Sequence, residues 1–267
     1  MTRVTMAGAD IAVIGGTGFY SFLADAEQQT VATPYGDPSG PISVGTVAGR
    51  RVAFLPRHGE HHEFPPHRIN FRANAWALRS LGVRQVLAPC AVGSLTQDLG
   101  PGDVVVPDQL VDRTLSRTQS FVETGACHVP FADPYCARTS EAVASVEPEL
   151  RLGGTMVVVE GPRFSTRAES QHYAAQGWSL INMTGHPEAV LAREMTQCYA
   201  AIALVTDVDA GLESGRGVGQ EEVFGLFAEN LDRLRGLLSR AIEALPDPDG
   251  CSCATWADDV ELTYEIP

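Results

Sequence analysis

No run of about eighteen apolar residues exists in this chain, which excludes a membrane-spanning helix. Positive charge is scarce: 19 Lys and Arg stand against 33 Asp and Glu, for a net charge of −14. A nucleic-acid or anionic-membrane partner requires a basic face, so both are excluded. An anionic small substrate is not, because a few local arginines reverse the field inside a cleft. The N-terminal MTRVTMAGAD lacks the apolar core of a signal peptide, so a soluble cytoplasmic protein is expected. Chemical signatures are missing too. Gly15-Gly16-Thr17-Gly18 is followed by Tyr20 and Ser21, so the dinucleotide spacing G-x-G-x-x-G is absent. There is no P-loop, no G-x-S-x-G elbow and no local metal-ligand pattern, and no metal site is expected. Cys90, Cys127, Cys136 and Cys198 are scattered and read as reduced thiols. No repeat or low-complexity linker occurs.

What is present is a chain of 267 residues, 44% apolar, able to bury a sizeable core. Strand and helix patterns interleave from end to end. They predict an α/β fold, one domain over 1–246 with a central mixed sheet flanked by helices. Residues 247–267 form an acidic tail, expected to be poorly ordered or laid across a neighbour. Strands are predicted at 11–14, 42–47, 51–55, 85–87, 104–107, 154–160 and 200–205. Helices are predicted at 70–81, 139–146, 169–175 and 187–199, with one long amphipathic helix over 220–245.

Residues 181–212 organise the rest: strand end, polar loop, helix, buried strand and then Thr206-Asp207-Val208-Asp209. Two carboxylates just past a buried strand lie at the carboxyl edge of a sheet, where α/β proteins place ligands. A solvated, helix-capping turn is the competing reading. The strand at 51–55 runs into PRHGEHHEFPPHR, which holds four of the seven histidines. A zinc site, a solvated loop and an anion site compete there. The prolines oppose the helix that a zinc site would want, and Arg57 as a fork donor with His58 as a second donor fits an anion best. Small residues 88–95 after the next strand permit close approach of a ligand.

These groups sort by chemistry. Thr17, Arg57, His58 and Thr184 offer hydroxyls and cations suited to phosphate. Phe164, Met183 and Ala91 suit a flat ring and a sugar. Asp207 and Asp209 can bind an amine or give a proton. The combination points to transfer of a glycosyl group to phosphate.

The ordered motifs GGTG, PRHG, NFRAN, GSL with PGD, CHVPFADPYC, EGPRFSTRAES, NMTGHPE and TDVD, within 11–245, resemble the 5′-methylthioadenosine phosphorylase branch of the purine nucleoside phosphorylase family. The resemblance implies the single-domain nucleoside phosphorylase fold in a homotrimer. It also implies phosphorolysis of 5′-methylthioadenosine, with phosphate as co-substrate and no metal or organic cofactor. By motif, Thr17, Arg57, His58, Cys90, Ala91 and Thr184 would hold phosphate. Met183 would lie along the ribose, Phe164 would stack on the purine, and Asp207 and Asp209 would face N7 and the 6-amino group. Asp207 would be the catalytic acid. His128, from the neighbouring subunit, would border the 5′-substituent. Ser165, Gln220, Val223 and Phe224 stand as specificity residues.

The sequence also departs from the family pattern. Cys90 stands where the family usually has Thr, and a thiol is the weaker donor. A polar Gln220 near the 5′ group would disfavour strict thioether selectivity. A broader purine nucleoside phosphorylase, or one acting on a 5′-halo-5′-deoxyadenosine, is the alternative, and a nucleosidase using water is a further one. Cys251-Ser252-Cys253 resembles the C-terminal C-x-C of heat-stable archaeal members, either a redox-active pair or two exposed thiols on a frayed tail.

Overall fold

The computed structural model describes residues 8–16, 19, 23, 26–210 and 219–267. The chain begins with β1 (Ile11–Gly15), β2 (Glu27–Gln29), β3 (Ile42–Val47), β4 (Arg50–Pro56), α1 (Phe71–Ser80) and β5 (Gln85–Ser94). Next come β6 (Val104–Val106), β7 (Gln109–Arg113), α2 (Ala137–Ala144), β8 (Arg151–Leu152), β9 (Thr155–Val159) and α3 (Arg167–Ala175). It closes with β10 (Leu180–Asn182), α4 (Gly185–Glu194), β11 (Cys198–Val208), α5 (Gln220–Glu229), α6 (Leu231–Ala244) and α7 (Ser252–Thr255).

These strands form one mixed sheet in the order β2-β3-β4-β1-β5-β10-β9-β7, with β11 on the other flank of β5 and then β6 and β8. Strands β1, β4, β5 and β11 run parallel, so their carboxyl ends share one edge. Both β1 and β11 are apolar runs buried along almost their whole length, as strands covered on two faces require. On one face α6 packs Leu234, Leu237, Leu238, Ala241 and Ile242. On the other lie Ala77 and Leu78 of α1 and Ala189 and Ala192 of α4. No helix among the described residues is long and apolar enough to cross a membrane.

Strand β5 has a gap beside it. Its residues 85–87 pair with β1 and its residues 93–94 with β10, while β11 runs along the other side. Over residues 88–92 one ladder is therefore missing. Pro89, which cannot donate to a ladder, is tolerated there, and the strand continues past the predicted end at residue 87.

Three other expectations change. The helix predicted over 187–199 stops at Glu194, with Thr196 in the left-handed region (φ 57), and β11 starts at Cys198. The long helix over 220–245 is two helices, broken where Asn230 leaves helical geometry (φ −94, ψ 1). The tail is not loose but packs on its own domain. It carries α7, Trp256 Nε1 donates to the Arg193 carbonyl (3.1 Å), and the Tyr264 hydroxyl donates to the Glu194 carbonyl (2.7 Å). The Tyr264 ring also stacks on buried Phe121. Cys251 and Cys253 are buried rather than exposed, and they meet Cys136 and Cys198, which are not scattered in space.

Removing the Tyr264 hydroxyl (Tyr264→Phe) should lower the unfolding free energy by about 1 kcal/mol, the worth of one such hydrogen bond. Urea denaturation at unchanged m-value is the check, and a tail free of the domain would show no change.

Candidate active site

A cleft of about 820 Å³ opens at the carboxyl edge of the sheet. Its lining includes thirteen of the predicted site residues: Arg57, His58, Cys90, Ala91, Phe164, Ser165, Met183, Thr184, Asp207, Asp209, Gln220, Val223 and Phe224. Thr17 lies outside the described residues, although its neighbour Gly16 lines the cleft. His128 is exposed and does not line the cleft of its own chain.

Arg57 follows β4 and is 2% exposed. Its guanidinium enters the gap beside β5. Nη1 donates to the Pro89 carbonyl and Nη2 to the Ile14 carbonyl, both at 2.9 Å. The fork itself grips Glu188 of α4, Nε to Oε1 at 2.8 Å and Nη2 to Oε2 at 2.9 Å. Burial alone would lower the Arg57 pKa, but the Glu188 carboxylate outweighs it and the net shift is upward. Glu188 is also met by the Tyr199 hydroxyl at 2.8 Å. This corrects the expected fork on an anion: of five guanidinium hydrogens, two serve Glu188 and two serve carbonyls, which leaves one on Nη1.

His58 departs from expectation as well. Its Nδ1 lies 2.8 Å from the Phe64 carbonyl, so Nδ1 carries the proton and donates. Burial pushes its pKa down to about 4; the Phe64 carbonyl opposes this, and Arg57 and His62 add to it. Near neutral pH the ring is uncharged and presents Nε2 as an acceptor, not as a second donor. The rings of His58 and His62 stack at 4.4 Å, and His62 meets Phe224 edge-on at 5.6 Å. The cleft wall thus runs unbroken from the cation to α5. Among the described residues no histidine belongs to a group of three or more potential metal ligands, which sets aside zinc in this loop.

Cys90 lines the cleft as a thiol, its pKa pushed up to about 12 by burial. Asn182 fills the other end of the gap. Its Nδ2 donates to the Ala91 carbonyl at 3.1 Å, and its Oδ1 accepts from the N–H groups of Thr184 and Gly185, both at 2.6 Å. One side chain therefore fixes the turn that presents Met183 and Thr184.

Asp207 stands inside β11, opposite Gly93 of β5, and Asp209 stands one residue past the strand's end. The register with β5 slips between Val205 and Asp207, an irregularity that re-aims side chains at a strand end. The Thr206 hydroxyl donates to Asp207 Oδ1 at 2.7 Å, and the Ser170 hydroxyl to Asp209 Oδ2 at 2.6 Å. Burial raises the Asp207 pKa to about 6; Thr206 opposes it, while Asp209 and Glu222 add smaller increments. Burial raises that of Asp209 too, against the Ser170 hydrogen bond. Gly93 makes room: a Cβ there would stand 2.9 Å from Ile181 Cγ2 and 3.0 Å from Asp207 Oδ2. Phe164, 36% exposed, leaves its ring open to the cleft.

Sequence reasoning missed Glu188, Asn182, Thr206 and Ser170 as parts of the site. All four lie in the quoted motifs, but only Glu188 had a chemical signal: an arginine directly after a buried strand needs a buried carboxylate.

A sheet edge that sets a buried cation and a carboxyl with a pKa raised to about 6 around one cleft fits an enzyme for group transfer on small molecules. Residues 10–245 match the family model described as "Phosphorylase superfamily", and the chain belongs to that family. It is 57% identical to an S-methyl-5′-thioadenosine phosphorylase of Mycolicibacterium smegmatis over 96% of this chain and 99% of that one. It is 58% identical to a purine nucleoside phosphorylase of Streptomyces coelicolor over 97% and 98% of the two chains. The crystal structure of a methylthioadenosine phosphorylase from an antarctic soil metagenomic library superposes with a TM-score of 0.85 at 38% identity, covering 93% of this chain and 91% of that one.

Glu188→Ala strands the Arg57 charge in the interior and should cost about 3–5 kcal/mol in stability. The double variant Arg57→Met/Glu188→Met should recover only part of that loss, because the Ile14 and Pro89 carbonyls and the Tyr199 hydroxyl lose their partners. Chemical denaturation of both is the check, and equal losses would contradict the pairing. Gly93→Ala should cost about 1–3 kcal/mol through overpacking and also abolish nucleoside binding, measured by calorimetry.

Proposed function

We propose that this chain transfers the 5-methylthioribosyl group of 5′-methylthioadenosine to phosphate, releasing adenine and 5-methylthioribose 1-phosphate, in purine and methionine salvage. The observation that carries the reading is Asp207, a carboxyl held near neutrality in the same cleft as Arg57 and His58. As the C1′–N9 bond breaks, its electron pair passes into the purine. Adenine leaves poorly as an anion, so protonated Asp207 gives its proton to N7. A phosphate oxygen then bonds to the cationic C1′. The remaining Nη1 hydrogen of Arg57, the Thr184 hydroxyl, the Cys90 thiol and the backbone around Ala91 hold the phosphate in line, with Thr17 carried by motif. His58 Nε2, an acceptor, meets hydrogen phosphate through its O–H. Phosphate is the co-substrate, and neither a metal nor an organic cofactor takes part in the step.

Ser170, Ser165 and the Ala210 N–H all donate to the Asp209 carboxylate, whose remaining lone pairs accept from the 6-amino group. A 6-oxo group would set acceptor against acceptor. Phe164 stacks on the purine and Met183 lies along the ribose. The printed names of the Mycolicibacterium relative and of the metagenomic structure support the same substrate. Gln220 lines the cleft beside Phe224, and the Streptomyces relative is named a purine nucleoside phosphorylase; both favour a second reading in which a 5′-hydroxyl or 5′-halogen is also accepted. We read the working form as a cytoplasmic homotrimer, in which His128 borders the 5′ end of a neighbour's cleft. Its exposure on its own chain supports this.

Adenine release from 5′-methylthioadenosine should require phosphate and exceed hypoxanthine release from inosine. Release without phosphate would make the protein a nucleosidase. Asp207→Asn should cut turnover by about 10²–10⁴ with little change in nucleoside affinity. The same variant should be more stable at pH 8, by up to about 3 kcal/mol, because the folded pKa of about 6 lies above the unfolded value. That penalty is absent below the unfolded pKa and complete above the folded one, so the gain should vanish near pH 4. A variant with near-normal turnover would remove Asp207 from the mechanism.

A further inference from the structure

Four of the six cysteines converge away from the cleft. Cys136 caps the N-terminus of α2, Cys198 opens β11, Cys251 caps α7 and Cys253 lies within it. All four are buried, none more than 4% exposed. Their sulfurs all lie within 4.8 Å of one another, and the Cys136 and Cys251 sulfurs are 3.6 Å apart.

We propose that Cys136, Cys198, Cys251 and Cys253 bind one structural zinc ion as a closed tetrathiolate. Sulfurs placed 2.3 Å from a central zinc in a tetrahedron stand about 3.8 Å apart along each edge, close to the Cys136–Cys251 separation. A disulfide would need about 2.05 Å, and all four cysteines are free. A purely apolar filling of this space would need no sulfur from four separate positions. A soft, tetrahedral, all-sulfur set selects zinc over harder cations.

Zinc binding would displace the four thiol protons to solvent and form four Zn–S bonds, with no change of oxidation state. The Arg193 guanidinium offsets part of the resulting negative charge at Cys253. Four protein ligands leave no open position, so the ion is structural. It would tie the tail to α2 and to the start of β11, the strand that ends at Asp207 and Asp209.

The test uses the full chain, purified without chelator under reducing, oxygen-free conditions. Elemental analysis should find about one zinc per chain. Replacing zinc with cobalt(II) should give the intense visible bands and sulfur-to-metal charge transfer of a tetrahedral thiolate site. Cys251→Ser/Cys253→Ser should lose both the zinc and the cobalt spectrum, and removing zinc from the unaltered chain should lower its thermal midpoint by several degrees. Should the double variant fail to fold, the cobalt spectrum of the unaltered chain decides. Free thiols that take up no metal, two disulfides seen as a mass loss of four hydrogens, iron in place of zinc, or cobalt bands that survive in the double variant would each overturn the proposal.

Discussion

The guanidinium of Arg57 occupies the opening where β1 and β10 part from β5, and the cleft depends on it. A sheet with a missing ladder exposes carbonyl groups that must find donors. Arg57 supplies two, to Ile14 and Pro89, and Asn182 supplies one, to Ala91. A charge so deeply buried is tolerable only with a partner, and Glu188 provides it, itself held by Tyr199. One ion pair therefore joins the ends of β1, β4 and β5 to α4 and β11. The same pair leaves a single guanidinium hydrogen facing the cleft, so Arg57 is as much a structural member of the site as a binding one.

At the other side of the cleft the balance is reversed. Asp207 and Asp209 are kept in a place that disfavours their charge, and hydroxyls of Thr206 and Ser170 only partly offset the cost. Placing an acid where its ionised form is unfavourable is a stability loss that serves chemistry. Burial contributes more to this than the repulsion of the two carboxylates, which the sequence alone would have ranked first.

Much of the site was legible because its residues fall at strand ends in local motifs. PRHG, NMTG and TDVD each follow an apolar run, and the hydrophobic pattern places those runs in a sheet. The α/β class followed from the same pattern. What stayed hidden depends on contacts between distant parts of the chain. Glu188 lies 131 positions from Arg57, and Ser170 lies 39 from Asp209. Donor and acceptor roles were hidden for a different reason. Whether His58 gives or takes a hydrogen bond depends on the Phe64 carbonyl, which no spacing reveals. The acidic tail read as loose because its polarity was plain, whereas its anchors, Trp256, Tyr264 and two cysteines, are few and act through residues far upstream.

The most direct test of the account is the pH dependence of kcat/KM for 5′-methylthioadenosine at saturating phosphate, in the unaltered chain and in Asp207→Asn. If protonated Asp207 delivers the proton to the purine, the unaltered enzyme should lose activity as pH rises through and beyond about 6, and the variant should lack that descending limb. The same descending limb in both proteins would place the proton donor elsewhere and contradict the account.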